Sequence, residues 1–362
     1  MRATRRELLR SALAAGVAVC GCGWRPASAQ ATRREPVVLA GRRVTTIDMH
    51  AHLLVPEVWP LIEGYPQADS DIGAFLRSPM AERLTSIEQR LRTMDDQAID
   101  IQALTLHFQH QHDWAGPELA ERIVRLLNEK MAEVVADHPD RLIGLGVVSL
   151  QHPELAAEQV THAVRELGLR GIMMTTTIGD EEISVPRFDP FWHRAEELGA
   201  VVFIHPEGFA DPGSRFAGPG ALGNTVGMPL DTTVALSHMI FSGFLDRFPD
   251  IKIVASHGGG YLPSYIGRSD NCHARNAGCQ RMAKAPSEYL RQLYYDTLVY
   301  SPDNLTYLID QVGADRLVLG TDYPFPIASQ DPVGDALAVA TLSDAELEAV
   351  LGATAMRLLE TA

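Results

Sequence analysis

Val44-Thr45-Thr46-Ile47-Asp48-Met49-His50-Ala51-His52 runs from an apolar strand directly into two histidines at i and i+2. In extended backbone that spacing puts both imidazoles on one face. Two neutral imidazoles converging at a strand end are half of a borderline-soft metal site. The pair alone is a weak signal. With 13 histidines in 362 residues, chance gives roughly 0.5 such pairs, and His110 and His112 form a second one. The first pair stands out because of its distant partners. His205, His257 and Asp322 each also follow an apolar strand.

Outward from that stretch the chain alternates strand and helix. Predicted strands are Val44–Met49, Ile99–Leu106, Leu142–Leu150, Gly171–Thr176, Val201–Ile204, Ile251–Ala255, Leu293–Leu298 and Leu317–Gly320. After Val44–Met49 a polar loop is expected to about Thr85, then a helix over Ser86–Gln97. Further helical patterns cover Glu118–Ala136, Pro153–Leu167, Pro190–Leu198, Thr232–Arg247, about Pro263–Arg268, Asn304–Gln311, Val333–Ala340 and Asp344–Leu359. Eight parallel strands alternating with helices predict an α/β fold, a (β/α)8 TIM barrel spanning 44–362 as a single domain. An open doubly wound sheet is the competing topology, and the chain lacks the Gly-x-Gly-x-x-Gly that would favour it after the first strand. In a barrel, groups at C-terminal strand ends share one mouth. His50, His52, His205, His257 and Asp322 would therefore converge.

Residues 1–29 read as a cleaved export signal. Arg5-Arg6 precede a short apolar stretch, Ala12 to Cys20, and Ala27-Ser28-Ala29 forms an A-x-A cleavage site. The stretch is too short for a permanent membrane span. A twin-arginine signal implies a periplasmic or secreted protein, with 30–43 as a linker into the barrel. Removing the signal takes five Arg and one Glu, leaving 26 Lys and Arg against 45 Asp and Glu, a balance of −19. So acidic a protein does not suit nucleic acid or an anionic membrane, and local arginines would have to hold any anionic substrate. Only Cys272 and Cys279 remain, too few for a disulfide framework.

His50, His52, His205 and Asp322 supply three nitrogens and an oxygen, a set that suits one Zn2+ with room for water. Water on such a centre ionises near neutrality. His257, in Ser256-His257-Gly258-Gly259-Gly260, reads as a general acid/base whose glycines allow a ligand to come close. Each residue also has a plainer explanation: strand-end polar groups for His50 and His52, turn residues for His205 and Asp322. Histidines 107, 110 and 112 follow the second strand and face the mouth, as a substrate loop or a second metal site. His138, His152, His162, His193, His238 and His273 are scattered and read as structural.

Asp48-x-His50-x-His52, Phe203-x-His205-Pro206, Gly227-Met228-Pro229, His257-Gly-Gly-Gly260 with Ile266-Gly267-Arg268, and Leu319-Gly320-Thr321-Asp322-Tyr323-Pro324-Phe325-Pro326 together resemble the aminocarboxymuconate-semialdehyde decarboxylase family of the amidohydrolase superfamily. The likeness runs from about Val44 to the C-terminus. It implies a zinc-dependent barrel, often a homodimer, that removes CO2 without oxidation from small unsaturated or aromatic carboxylates. It also implies that Arg268 binds the substrate carboxylate, reaching into a neighbouring subunit's site, with Arg77 as a second carboxylate-binding candidate. The fourth strand ends Met173-Met174-Thr175-Thr176, without the lysine that bridges two metals elsewhere in the superfamily, so one divalent ion per chain is expected. The chain departs from the pattern after Pro206, where Glu207-Gly208-Phe209 holds no tryptophan. Hydrolysis or hydration of a small carboxylate by the same metal-bound hydroxide is the alternative chemistry, and a non-catalytic periplasmic binder a third.

Overall fold

The inner wall of the protein is built by eight parallel strands: β1 (Ile47–Leu53), β2 (Ile101–Leu106), β3 (Leu142–Gly144), β4 (Gly171–Met174), β5 (Val201–Ile204), β6 (Lys252–Ala255), β7 (Tyr294–Asp296) and β8 (Leu317–Val318). This computed structural model describes residues 35–76, 78–208 and 214–360. The predicted export signal and Arg77 lie outside the described residues. Within 30–43, Val38–Leu39 and Arg42–Arg43 pair as a small antiparallel hairpin. The strands form two ladders, β1-β2-β3 and β4-β5-β6-β7-β8. Both seams between the ladders are stitched. Gly146 bridges to Ile172, while Asp48 bridges to Leu319 and Ala51 to Tyr323. The sheet closes on itself, giving a (β/α)8 TIM barrel without free edges among these strands.

The helices lie outside: α1 (Ile87–Asp96), α2 (Pro117–Asp137), α3 (Pro153–Arg165), α4 (Asp189–Glu197), α5 (Met228–Phe241), α6 (Leu262–Arg275), α7 (Pro302–Val312) and α8 (Pro332–Leu337). Pro117, Pro153, Pro302 and Pro332 stand first in their helices, where a missing N–H removes no helical bond. Ser86 caps α1, its hydroxyl accepting from the Gln89 amide at 3.3 Å. Most buried apolar residues fall into two sets, with a small third at Leu54, Ala81 and Leu84. One fills the space between strands and helices. The other, with Ile47, Met49, Leu145, Met173, Phe203 and Val254, fills the barrel, joined by Leu358 and Leu359 from the closing helix.

Several boundaries differ from the sequence reading, for local reasons. β1 begins and ends later than Val44–Met49, so His50 and His52 lie within it. The expected loop after it holds helices at Trp59–Ile62, Pro66–Leu76 and Pro79–Thr85. The helix expected over Thr232–Arg247 is broken at Gly243, whose φ of 71° ends one segment and starts Phe244–Arg247. Asp344–Leu359 is interrupted by a π turn at Ala349–Ala353, where a Cβ on Gly352 would lie 2.0 Å from the Thr45 carbonyl. α6 continues past Arg268 to Arg275, and a disulfide links its Cys272 to Cys279.

The register of β1 shifts between Asp48 and Ala51. Ile47 and Met49 join the interior set, yet Leu53 joins the outer one. An extra residue at that point reverses strand parity, so His50 and His52, rather than Ala51 and Leu53, turn into the mouth. Gly171 shows how closely β4 and β5 approach: a Cβ there would meet the Val201 carbonyl oxygen at 1.9 Å. Gly171→Ala is expected to destabilise the fold by about 2–3 kcal/mol through this backbone clash, read as a lowered urea midpoint. An unchanged midpoint would contradict the barrel packing at that seam.

Candidate metal centre

His50 and His52 on β1, His205 just past β5 and Asp322 just past β8 each offer a ligand atom within 4.8 Å of the others, and all four are buried. The Nε2 atoms of His50 and His52 face each other at 3.1 Å. Asp322 Oδ1 lies 3.2 Å from His52 Nε2 and 3.3 Å from His50 Nε2. The seam places this carboxylate directly, because the Asp322 amide donates to the His50 carbonyl at 2.8 Å and the His52 amide donates to the Tyr323 carbonyl at 2.8 Å.

The far side of each β1 imidazole sets its tautomer. His50 Nδ1 is 2.7 Å from Asp296 Oδ2, so its N–H points at that carboxylate. Thr105 Oγ1 donates to the Ala51 carbonyl and is left to accept from His52 Nδ1 at 3.2 Å. Both Nε2 lone pairs then point at one spot beside a carboxylate. Two lone pairs at that separation repel unless a proton or a cation sits between them. A divalent ion satisfies all the donors at once, and the nitrogen-rich set suits a borderline metal. Without a cation, burial opposes charge on His50, but Asp322 and then Asp296 outweigh it and raise the group to about 10. Burial lowers His52 to about 4 and holds His205 well below its usual range. Asp322 stays well below the normal carboxylate range despite burial, chiefly through His50.

His257 stands beside this set with φ 54°, its Nε2 3.8 Å from Asp322 Oδ2. Its ring centroid is 5.2 Å from that of His50 and 5.3 Å from that of His205. Its backbone N–H donates to Asp296 Oδ2 at 2.9 Å, and the Gly258 N–H to Oδ1 at 2.8 Å. The glycines after it serve packing more than ligand access. Cβ atoms on Gly258, Gly259 and Gly260 would collide with Val299, Tyr295 and the Pro229 carbonyl. Two connected lobes open over the site, of about 380 and 360 Å3, sharing Asn224, Met228, His257, Asp322 and Ile327. The second is walled by Phe75, His107, Phe108 and Phe325.

The amidohydrolase family model matches residues 47–361. The chain belongs to the amidohydrolase family. Within that family, it is 31% identical over 336 residues to 2-amino-3-carboxymuconate-6-semialdehyde decarboxylase of Dictyostelium discoideum, covering 88% of this chain and 92% of that one. The structure of 5-carboxyvanillate decarboxylase from Sphingomonas paucimobilis superposes with a TM-score of 0.78 at 26% identity, covering 88% of this chain and all of that one (100%). 5-Carboxyvanillate decarboxylase of Novosphingobium aromaticivorans, solved with manganese and 4-hydroxy-3-methoxy-5-nitrobenzoic acid, shares the fold at 22% identity and a TM-score of 0.77, covering 87% of this chain and 96% of that one.

The structure keeps other sequence-flagged residues of this amidohydrolase apart from the centre. Arg268 is exposed on α6, beside Phe241, Cys272 and Cys279, and lines neither lobe of its own chain's mouth. His110 and His112 gather no third ligand among the described residues, and His110 Nε2 accepts from the Val55 amide at 3.0 Å. Two carboxylates went unread in sequence. Asp296 ends β7, accepts from His257, Gly258 and Leu298 amides, and orients His50. Its only signal was an acid at a strand end. Asp48, quoted in the motif without a role, accepts from the His50 and Thr321 amides, Gln102 Nε2 and Thr321 Oγ1.

Asp296→Asn should weaken metal binding by about 10–100-fold, the usual effect of losing an imidazole's carboxylate partner. Because the proton on His50 must leave when an ion binds, affinity of the metal-free protein should also rise with pH between 6 and 8. Competition titration against a chelating dye reads both. A flat pH profile, or an Asp296→Asn affinity equal to wild type, would contradict the assignment.

Proposed function

We propose that this protein is a metal-dependent, non-oxidative decarboxylase, a carboxy-lyase acting on a small unsaturated or aromatic carboxylic acid. The observation that carries the reading is the three-histidine, one-aspartate centre opening with His257 into a cavity walled by Phe75, Phe108, Met228 and Phe325. Aromatic walls suit a flat, conjugated acid. His50, His52, His205 and Asp322 would hold one divalent ion, proposed as zinc on the nitrogen-rich donor set. Such an ion supplies Lewis-acid polarisation of substrate oxygens beside the breaking bond. As CO2 leaves, the bonding pair stays on the ring or chain carbon, which must collect a proton. His257, facing the cavity next to Asp322, is placed to hold that proton and hand it over. Asp322 would ligate the ion, and its Oδ2 lies 3.8 Å from His257 Nε2.

Arg268 is proposed to grip a substrate carboxylate in a neighbouring subunit, which would make the working form a homodimer. Its exposed position outside its own mouth supports that reading. Export by the twin-arginine signal to the periplasm or beyond is proposed from residues 1–29, and the Cys272–Cys279 disulfide supports an oxidising compartment.

His257→Ala should retain one ion per chain and lower kcat by about 10²–10⁴. CO2 release from a panel of aromatic and unsaturated acids, run in ¹⁸O-water, tests the reaction itself. Label entering product without CO2 would make the protein a hydrolase or hydratase instead. For Arg268, mixing Arg268→Ala chains with His257→Ala chains should restore part of the activity, since one site of a mixed dimer then carries neither change. Mixed dimers without recovery would remove Arg268 from the neighbouring site.

A further inference from the structure

His107 follows β2 and is only 1% exposed, yet it lines the second lobe of the cavity beside Phe108, His205 and Phe325. Its ring is sandwiched. Phe75 stacks on it at 4.6 Å with planes 23° apart, and Phe108 at 4.2 Å and 30°. Its centroid is 6.1 Å from that of the proposed ligand His52 and 5.6 Å from that of Phe325. Rotation of the ring is therefore blocked on both faces.

The hydrogen bonding of this ring is half used. Nδ1 accepts from the Gln109 amide at 3.3 Å, capping the short helical turn Phe108–His110. An accepting Nδ1 is unprotonated, so the neutral imidazole carries its hydrogen on Nε2. That N–H has no acceptor among the described residues, while the ring borders the cavity. A donor held this rigidly among Phe75, Phe108 and Phe325 costs free energy until something in the lobe accepts from it. His110, three residues on, has no such freedom, since the Val55 amide occupies its Nε2.

We propose that His107 is a specificity-determining substrate-binding residue, whose Nε2–H donates to an oxygen on the substrate other than the departing carboxylate. Building on the decarboxylase reading, this narrows the substrate class to acids bearing a second acceptor. A ring hydroxyl, a carbonyl or a second carboxylate would serve, carried on a flat skeleton that lies along Phe108. An acid without that acceptor would leave the donor unpaired and bind more weakly.

The test uses equilibrium binding to the metal-loaded full chain, so that turnover is not needed. Benzoate and its monohydroxy and dihydroxy derivatives are titrated calorimetrically into wild type and His107→Phe, which keeps both stacking contacts and removes the donor. At least one hydroxylated acid should bind wild type about tenfold more tightly than benzoate, and His107→Phe should erase that advantage while benzoate binds as before. An advantage that persists within twofold in His107→Phe overturns the proposal, as does the absence of any advantage in wild type. If no acid of the panel binds wild type, the aromatic-acid reading fails and takes this inference with it. Should His107→Phe not fold, His107→Leu fills the same slot with no donor at all, and the same loss is expected.

Discussion

Asp48 is fully buried, and everything at the mouth depends on how its charge is satisfied. Burial pushes its carboxyl up to about 6, while donors from Thr321, His50 and Gln102 pull against that rise. Those donors sit on β1, on β2 and just past β8, so one side chain ties both neighbours of the first strand together. Across the same seam run the backbone bonds that bring Asp322 against His50 and His52. A buried carboxylate with unmet acceptors would cost several kcal/mol. Two of its four donors, the Thr321 amide and hydroxyl, reach it across the closing seam, so Asp48 is fully satisfied only when the barrel closes.

Orientation at the centre then comes from groups behind the proposed ligands. Asp296 fixes His50 and, through two amides, the His257 turn. Thr105 fixes His52. Arg90, buried beneath, donates to Gln102 Oε1 at 2.8 Å and to the His52 carbonyl at 2.5 Å, and its guanidinium lies 4.7 Å from the Tyr323 ring centroid. Much of the site's electrostatics is thus set on the side facing away from the cavity. The cavity side carries a mixed lining, with Phe75, Phe108 and Phe325 beside polar groups such as Asn224, His257 and Asp322. That division suits a reaction in which charge must be steered toward one carbon.

The alternation of apolar runs was legible because parallel barrel strands are buried on both faces and read as continuous apolar stretches. Val201–Ile204 shows this best, matching its strand end to end. The ligand candidates were legible because each follows such a run. Parity in β1 was not, because a register shift leaves no composition behind. Asp296 was missed for a related reason: the imidazole that an aspartate ending Tyr294-Tyr295-Asp296 orients, His50, stands 246 residues away. The glycines after His257 were read as room for a ligand, whereas the neighbouring Val299, Tyr295 and Pro229 explain them by packing. Helices hidden in 54–85 lacked a long amphipathic period, being only 4, 11 and 7 residues long.

The interval between His52 and Asp322 is 270 residues, and the interior they cap is completed by Leu358 and Leu359. At a synthesis rate of about 5–20 residues per second, the histidines wait roughly 15–50 s for the carboxylate that faces them. Until then the two imidazoles lack the carboxylate that completes the donor set. The order of translation therefore makes the centre a late arrival. Its selectivity for a metal can be exercised only once nearly the whole chain has emerged.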